Sequence, residues 1–537
     1  MTAPPAGTFD APDGGVSYTY EPPTQGSKNR PALLVALAVV AALVIGGGAW
    51  AVTRSLGGGG DQPASALPAD TAAYVRLDID PAVGQKIAAV RFFQGLDDDV
   101  LETLRDDDIR AKAFEWMASE DEAFAAVNYE EDIEPWLGDR LALGIVPNGS
   151  DTPYFGIALQ VKDEDAANEG LTKLQEATNA TESDPAEGLD WYFHGDYAVL
   201  TTTGTVGTMQ DLTEAGTLAD KDTFREDMGA LGDEGVLSAW VDIEPLATLA
   251  DSPLAEQSLD NAAALDPSGA LGSMAGTSQL AERAATGRFA AAVRFSEDSI
   301  EVGGVTRGMD GIGVEGGDSG RLVLDLPEDT VAAFSLEHGD QYVAHAYELL
   351  KSEFPDDFAE VEAQASEAGF TIPGDIQTLV GSSLVLSVGP GILGLQDDLE
   401  DFNAWEIAYR TETDTDAAED LLTRLFEMTG EPEIQQFLTQ RSDDGVLTLG
   451  VSQPYVNTVA EAGSLGDFEA FKSAVPNAAD ADSVFYVNVN TFEHLYLEEI
   501  DDSEAREALE LLGAVGYSAS SDAEGNGDFT FRLVADD

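Results

Sequence analysis

Asp78 and Asp80 stand two residues apart at the end of the apolar run LPADTAAYVRLDIDP, residues 67–81. Two carboxylates that close could hold a calcium ion or share general acid–base work. The spacing recurs at Asp242 and Glu244 in AWVDIEP, again followed by a proline. An acid before proline also suits a helix start. Its carboxylate accepts from free first-turn N–H groups, and proline at the first helical position forfeits no hydrogen bond. Capping gives Asp80 a sufficient job and Glu244 a weaker one. Asp78 and Asp242 are then expected as solvent-facing residues on their strands.

Other chemistry-bearing residues are scattered. His194, His338, His345 and His494 are the only histidines, and none has a zinc-binding spacing. Surface or core packing is the expectation for all four. GIGVEG (Gly311, Gly313, Gly316) matches a dinucleotide glycine pattern but follows no clear strand and opens no helix. GDSG (Gly317–Gly320) resembles a serine-protease nucleophile loop, without the histidine motif that should precede it. Acidic clusters occur at Leu96–Asp99, Asp397–Asp401 and Asp522–Asp528. The last resembles the start of an EF-hand loop, but Leu533 stands where the bidentate Glu belongs, so a hairpin turn is expected. Asp190–Phe193, DWYF, is read as strand packing rather than a sugar platform. No residue is assigned to catalysis, a cofactor or a metal.

Composition narrows the partners. The chain has 537 residues, with 26 Lys and Arg against 101 Asp and Glu, a net charge of −75. Asp10, Asp13 and Glu21 cancel Lys28, Arg30 and Arg54, so the excess lies beyond Arg54. Such a surface repels nucleic acid and favours cationic partners. There is no cysteine, which excludes disulfides, thiolate metal sites and cysteine nucleophiles.

Residues 31–52, PALLVALAVVAALVIGGGAWAV, carry no charge and suffice in length for a bilayer. Lys28 and Arg30 precede the run, which predicts a transmembrane helix over 31–53 with a cytoplasmic N-terminus. A cleaved signal peptide ending at Ala49–Ala51 is the rival, disfavoured by the length of the run. The expected location is therefore the cell membrane, single-pass, with the bulk of the chain outside. Residues 1–30 read as a disordered tail and 54–65 as a flexible stalk.

The rest is written twice. LPADTAAYVRLD at Leu67 returns as LPEDTVAAFSLE at Leu326, and WLGDRLALGIVP at Trp136 as LVGSSLVLSVGP at Leu379. DAANEGLTKL at Asp165 returns at Asp416, AVLTTTGTVGTMQ at Ala198 at Gly445, and GVLSAWVDI at Gly235 at Ser483. The order is kept, with offsets between 243 and 259. Two units are expected, 66–309 and 321–537, joined by a glycine-rich linker at 310–320. At the positions of the acid pairs the second unit has Glu337 and Gly339, or Asn488 and Asn490, which favours the structural reading.

Within each unit, AAYVRLDI alternates, with Val75, Leu77 and Ile79 opposite Arg76, Asp78 and Asp80, as in a half-buried strand. RLALGIVP and YFGIALQV predict a hairpin, as do WYFH and YAVLTT, and RFAAAVRF and SIEVGGVT. Helices are expected around 163–177, 206–216 and 222–231. Strand pairs with interspersed amphipathic helices give an α+β class: a transmembrane helix, then two tandem units of mainly antiparallel sheet with covering helices.

With the apolar run, the repeated unit and LPADTAAYVRLDIDPAVGQK (67–86) on the page, the chain resembles a bacterial, mainly actinobacterial, family of membrane-anchored proteins carrying a domain of unknown function. The resemblance implies location and architecture over the whole ectodomain, and no catalytic residues. The expected role is a non-enzymatic binding module of the cell envelope. The alternatives are a carboxylate-based hydrolase of envelope polymers or a carrier of hydrophobic ligands.

Overall fold

The expected apolar runs become strands, and each pairs with its neighbours antiparallel. The computed structural model describes residues 62–78, 109–120, 122–150, 152–181, 188–247, 286–296, 298–309, 322–396, 404–429, 438–493, 497, 506 and 510–536. The first half contributes β1 (Ala73–Asp78), β2 (Leu137–Val146), β3 (Tyr154–Val161), β4 (Leu189–His194), β5 (Tyr197–Thr202), β6 (Leu237–Asp242), β7 (Arg288–Phe295) and β8 (Ser299–Arg307). The second half contributes β9 (Ala332–Glu337), β10 (Ser383–Val388), β11 (Ile407–Glu412), β12 (Thr439–Asp443), β13 (Val446–Gly450), β14 (Ser483–Asn488), β15 (Leu512–Ser521) and β16 (Gly527–Ala535).

These form one sheet of sixteen strands, ordered β12-β13-β11-β10-β9-β14-β15-β16-β8-β7-β6-β1-β2-β3-β5-β4. Read outward from the β8–β16 junction, the two halves have the same strand order. The sheet is continuous through β8 and β16, a point the sequence left open. The expected transmembrane helix is corrected here. No described helix is long and apolar enough to cross a membrane. The run at 31–53, the tail, most of the stalk and the linker at 310–320 lie outside the described residues.

The LPxDT motif builds the start of the central strand in each half. Thr71 Oγ1 donates to the Pro68 carbonyl at 2.7 Å. This folds the chain so that Leu67 is fully buried. Its methyl groups fill the space left by the missing Cβ atoms of Gly144 and Gly156. The Leu67 carbonyl accepts from Leu218 N–H at 2.8 Å, and the Leu326 carbonyl accepts from Leu465 N–H at 2.9 Å. Leu326, Leu218 and Leu465 are buried as completely as Leu67. The most specific stretch of the sequence is thus a clasp that ties chain entry to a later turn.

Helices cover both faces of the outer strands. Tyr74, Ala142, Ala158, Val199, Trp240 and Ala290 meet the helices Val206–Ala215 and Asp222–Leu231 through Met209, Phe224 and Met228. On the opposite face, the helix Glu164–Thr181 lays Ala167, Leu171 and Leu174 against Phe155, Ala198 and Leu200. In the second half, the helices Gln453–Ala460 and Glu469–Ala474 bury Tyr455, Val459 and Phe471 with Ala333, Val385 and Tyr486.

The junction has its own chemistry. Glu301 on β8 faces Arg532 on β16 and Arg294 on β7 in register. Its Oε2 accepts from Arg532 Nε at 2.9 Å and Nη2 at 2.6 Å, and its Oε1 from Arg294 Nη1 at 2.8 Å. Burial pushes the Glu301 pKa up, but the hydrogen bonds from both guanidiniums outweigh it and hold the carboxyl below its usual range. On the other face Phe289 and Phe529 stack across the junction, centroids 5.7 Å apart. The Phe529 ring occupies the space where a Cβ on Gly304 would stand, 2.2 Å from its Cε1.

Replacing Glu301 with Ala leaves two half-buried guanidiniums facing each other. The expected loss in urea unfolding is about 2–4 kcal/mol. Because the folded pKa is depressed, this contribution is present above the ordinary glutamate pKa of about 4.3. It is lost as pH falls through the lower folded value. The stability gap between wild type and Glu301→Gln therefore closes on acidification. A gap that widened would contradict the assignment.

Candidate functional site

The alternation of β1 runs opposite to expectation. Tyr74, Arg76 and Asp78 are the buried face, and Ala73, Val75 and Leu77 are partly exposed. Asp78 is only 4% exposed, so it is not the solvent-facing residue the sequence suggested. Its Oδ2 accepts from Arg76 Nη2 at 2.7 Å and from Arg140 Nε at 3.2 Å. Arg76 Nη1 reaches Glu234 Oε2 at 3.0 Å. The physical reason is local neutralisation: Arg76 and Asp78 share a face two residues apart, and β2 brings Arg140 into register with Asp78. A buried charge is tolerated when so paired.

Aromatic rings stand beside the ions. Tyr74 packs edge-on against Phe224, and Phe224 against Trp240, each pair with centroids 5.4 Å apart. Burial pushes the Tyr74 hydroxyl far above its ordinary pKa. Burial also raises Tyr197, to about 12, against the pull of Arg140. Trp240 Nε1 donates to Asp227 Oδ2 at 2.9 Å, and Arg288 Nε donates to the same oxygen at 2.7 Å.

Over this floor lies a cavity of about 340 Å³. Tyr74, Phe224 and Met228 give it apolar walls, and Gln62, Arg225 and Glu234 line it with polar groups. That volume is at the lower end of small-molecule sites. Gln62 Oε1 is buried without a hydrogen-bond partner, as is Arg76 Nε beneath. The site can hold a small, partly apolar group that brings a donor to Gln62.

The other expected residues do not gather here. Asp80 lies outside the described residues. Asp242 is the N-cap of the helix Ile243–Leu246 and makes no side-chain cap bond. It faces Lys221 Nζ at 3.3 Å instead of solvent alone. Glu244 lies within that short helix and so does not cap it. Glu337, at the place of Asp78, is buried and accepts from Ser383 Oγ at 3.1 Å. Gly339 opens the helix Gly339–Glu353, Asn488 precedes a single 3-10 turn, and Asn490 donates to Asp536.

His338 is buried in a left-handed conformation, φ 56°, with Nε2 3.8 Å from Asp482 Oδ1. His345 is exposed and His194 ends β4 half-buried, whereas His494 lies outside the described residues. So do Leu96–Asp99, Asp397–Asp401 and the two glycine motifs. Asp522 closes the turn between β15 and β16, accepting from the N–H groups of Glu524 and Asn526. Among the described residues no group of three or more His, Cys, Asp or Glu could hold a metal ion.

Sequence reasoning missed Arg76, Arg140 and Glu234. The available signal was that Arg76 and Asp78 share their strand face with the large apolar Tyr74.

A family model described as "Protein of unknown function (DUF3352)" matches residues 33–187. The match includes Leu67–Lys86, which holds the Leu67 side of the clasp, β1 to β3 and the helix Glu164–Thr181. No curated protein and no solved structure matches the chain.

Asp78→Ala leaves Arg76 and Arg140 buried without their shared counter-ion. The expected cost in chemical denaturation is about 3–5 kcal/mol. A loss under about 1 kcal/mol, the range of exposed ion pairs, would show that the cluster is solvated.

Proposed function

We propose that the chain is a non-enzymatic binding module of the cell envelope, with the cavity beside Tyr74 as its ligand seat. The observation that carries this reading is the pairing of an apolar pocket with one unsatisfied acceptor, Gln62 Oε1, at its wall. A small amphipathic group with a hydrogen-bond donor fits that combination, and the net charge of −75 favours a cationic one. The hydrolase reading loses support because the carboxylate of Asp78 is committed to two guanidiniums. Placement outside the cytoplasm belongs to the same proposal and is supported by sequence alone. Descent of the two halves from one duplicated unit belongs to it too, and the matching strand orders support it.

Saturation-transfer NMR with small amphipathic amines and alcohols tests the seat. Met228→Trp fills the cavity and Gln62→Leu removes the acceptor. Each is expected to weaken wild-type hits by about tenfold or more, the worth of one good polar contact. Hits that bind both variants unchanged would sink the proposal. So would turnover of an envelope polymer that Asp78→Asn abolishes.

A further inference from the structure

Most of the well-covered arginines among the described residues pair with acids. Arg76 and Arg140 hold Asp78, Arg288 holds Asp227, and Arg294 and Arg532 hold Glu301. Arg410 on β11 is 8% exposed, yet its Nε and Nη1 are buried without a hydrogen-bond partner. No carboxylate hydrogen-bonds to those two nitrogens, in a protein with 101 acidic residues. Nor can the side chain escape by losing its proton, as a lysine would. Burial lowers its pKa and Asp325 counters this, but a guanidinium stays charged at neutral pH. A buried guanidinium with two of its N–H groups unbonded is a cost the fold must recover.

Two further polar groups share its row. The register places Arg410, Thr448 and Arg441 in one row on β11, β13 and β12. The helix Gln453–Ala460 packs on the same three strands, and Arg441 Nη1 donates to its Asn457 carbonyl at 3.4 Å. Arg441 has only loose ion pairs, 3.5 Å to Asp443 and 3.7 Å to Glu461, both with largely exposed carboxylates. In the first half the same row holds Ala158, Val199 and Tyr192, apolar core with no charge. The second half has therefore put two cations and a hydroxyl where the fold requires none.

We propose that Arg410, with Thr448 and Arg441, forms a binding site for the oxyanion group, phosphate or carboxylate, of a small ligand. Nε–H and Nη1–H of Arg410 lie on different edges of its guanidinium, and each can donate one charge-assisted hydrogen bond to an oxyanion. This site is in the other half of the sheet from the cavity and does not rest on it.

The test uses the full chain in detergent or buffer at fixed ionic strength, so that general screening of the acidic surface cancels. Inorganic phosphate and acetate are titrated separately against a chloride background by calorimetry and thermal melting. Saturable binding of either one is expected, and which one binds names the group. Arg410→Met should weaken it about tenfold or more while leaving the chloride-only melting point equal or higher, since an unpaired charge is removed. Arg410→Lys keeps the charge without the fixed Nε–H and Nη1–H donors and should bind more weakly than wild type. No saturable binding to either anion, equal binding by wild type and Arg410→Met, or a marked loss of stability of Arg410→Met in chloride would each overturn the proposal. The last would mean that the guanidinium already has a partner.

Discussion

Everything distinctive here depends on the ladder between β8 and β16. Eight residues of each strand pair in register, from Gly527 with Thr306 to Val534 with Ser299. Without it there would be two eight-stranded sheets, each with an open inner edge able to pair with other chains. With it, β4 and β12 alone are edges among the described strands. The junction is fixed on both faces at once, by the Arg294–Glu301–Arg532 row on one and the Phe289–Phe529 stack on the other. A slip of one residue would turn both sets to the wrong face, so ions and rings together specify the register.

The halves share their skeleton and differ in their charges. Both use a buried leucine, Leu67 or Leu326, to clasp a later turn through its carbonyl. Both set an aromatic at the base of the central strand pair: Phe224 on Trp240, and Phe471 on Tyr486, centroids 5.4 and 5.1 Å apart. Yet Arg76 in the first half corresponds to Ser335 in the second, and Ala158 corresponds to Arg410. The common features are packing and backbone hydrogen bonds, which any copy of the fold must satisfy. The differing ones are polar groups that packing does not dictate, Arg410 and Arg441 among them.

Periodicity made the hairpins legible. β2 with β3, β4 with β5, and β7 with β8 fall where the apolar runs and their short turns place them. The helix at Glu164–Thr181 announced itself through Ala167, Leu171 and Leu174, and the Asp522 cluster proved to be the expected turn. What failed was the facing of β1. Alternation shows that two faces differ but not which is inside, and opposite charges on one face can neutralise each other in the interior. The cavity was illegible for a different reason: Gln62, Tyr74, Phe224 and Met228 are brought together by strand order, which no local pattern encodes. The continuity of the sheet was equally hidden, because pairing of β8 with β16 links residues more than two hundred positions apart.

One cross-strand row passes through all sixteen strands, and both Arg410 and Arg76 lie on it. Nine inter-strand steps separate β11 from β1. At roughly 4.8 Å per step the row measures about 43 Å between them. The protein is in this sense a ruler, with its two seats at graduations that cannot drift while the ladder is whole. A molecule engaging both must be long enough to match that gauge, and two short molecules would occupy their places without touching.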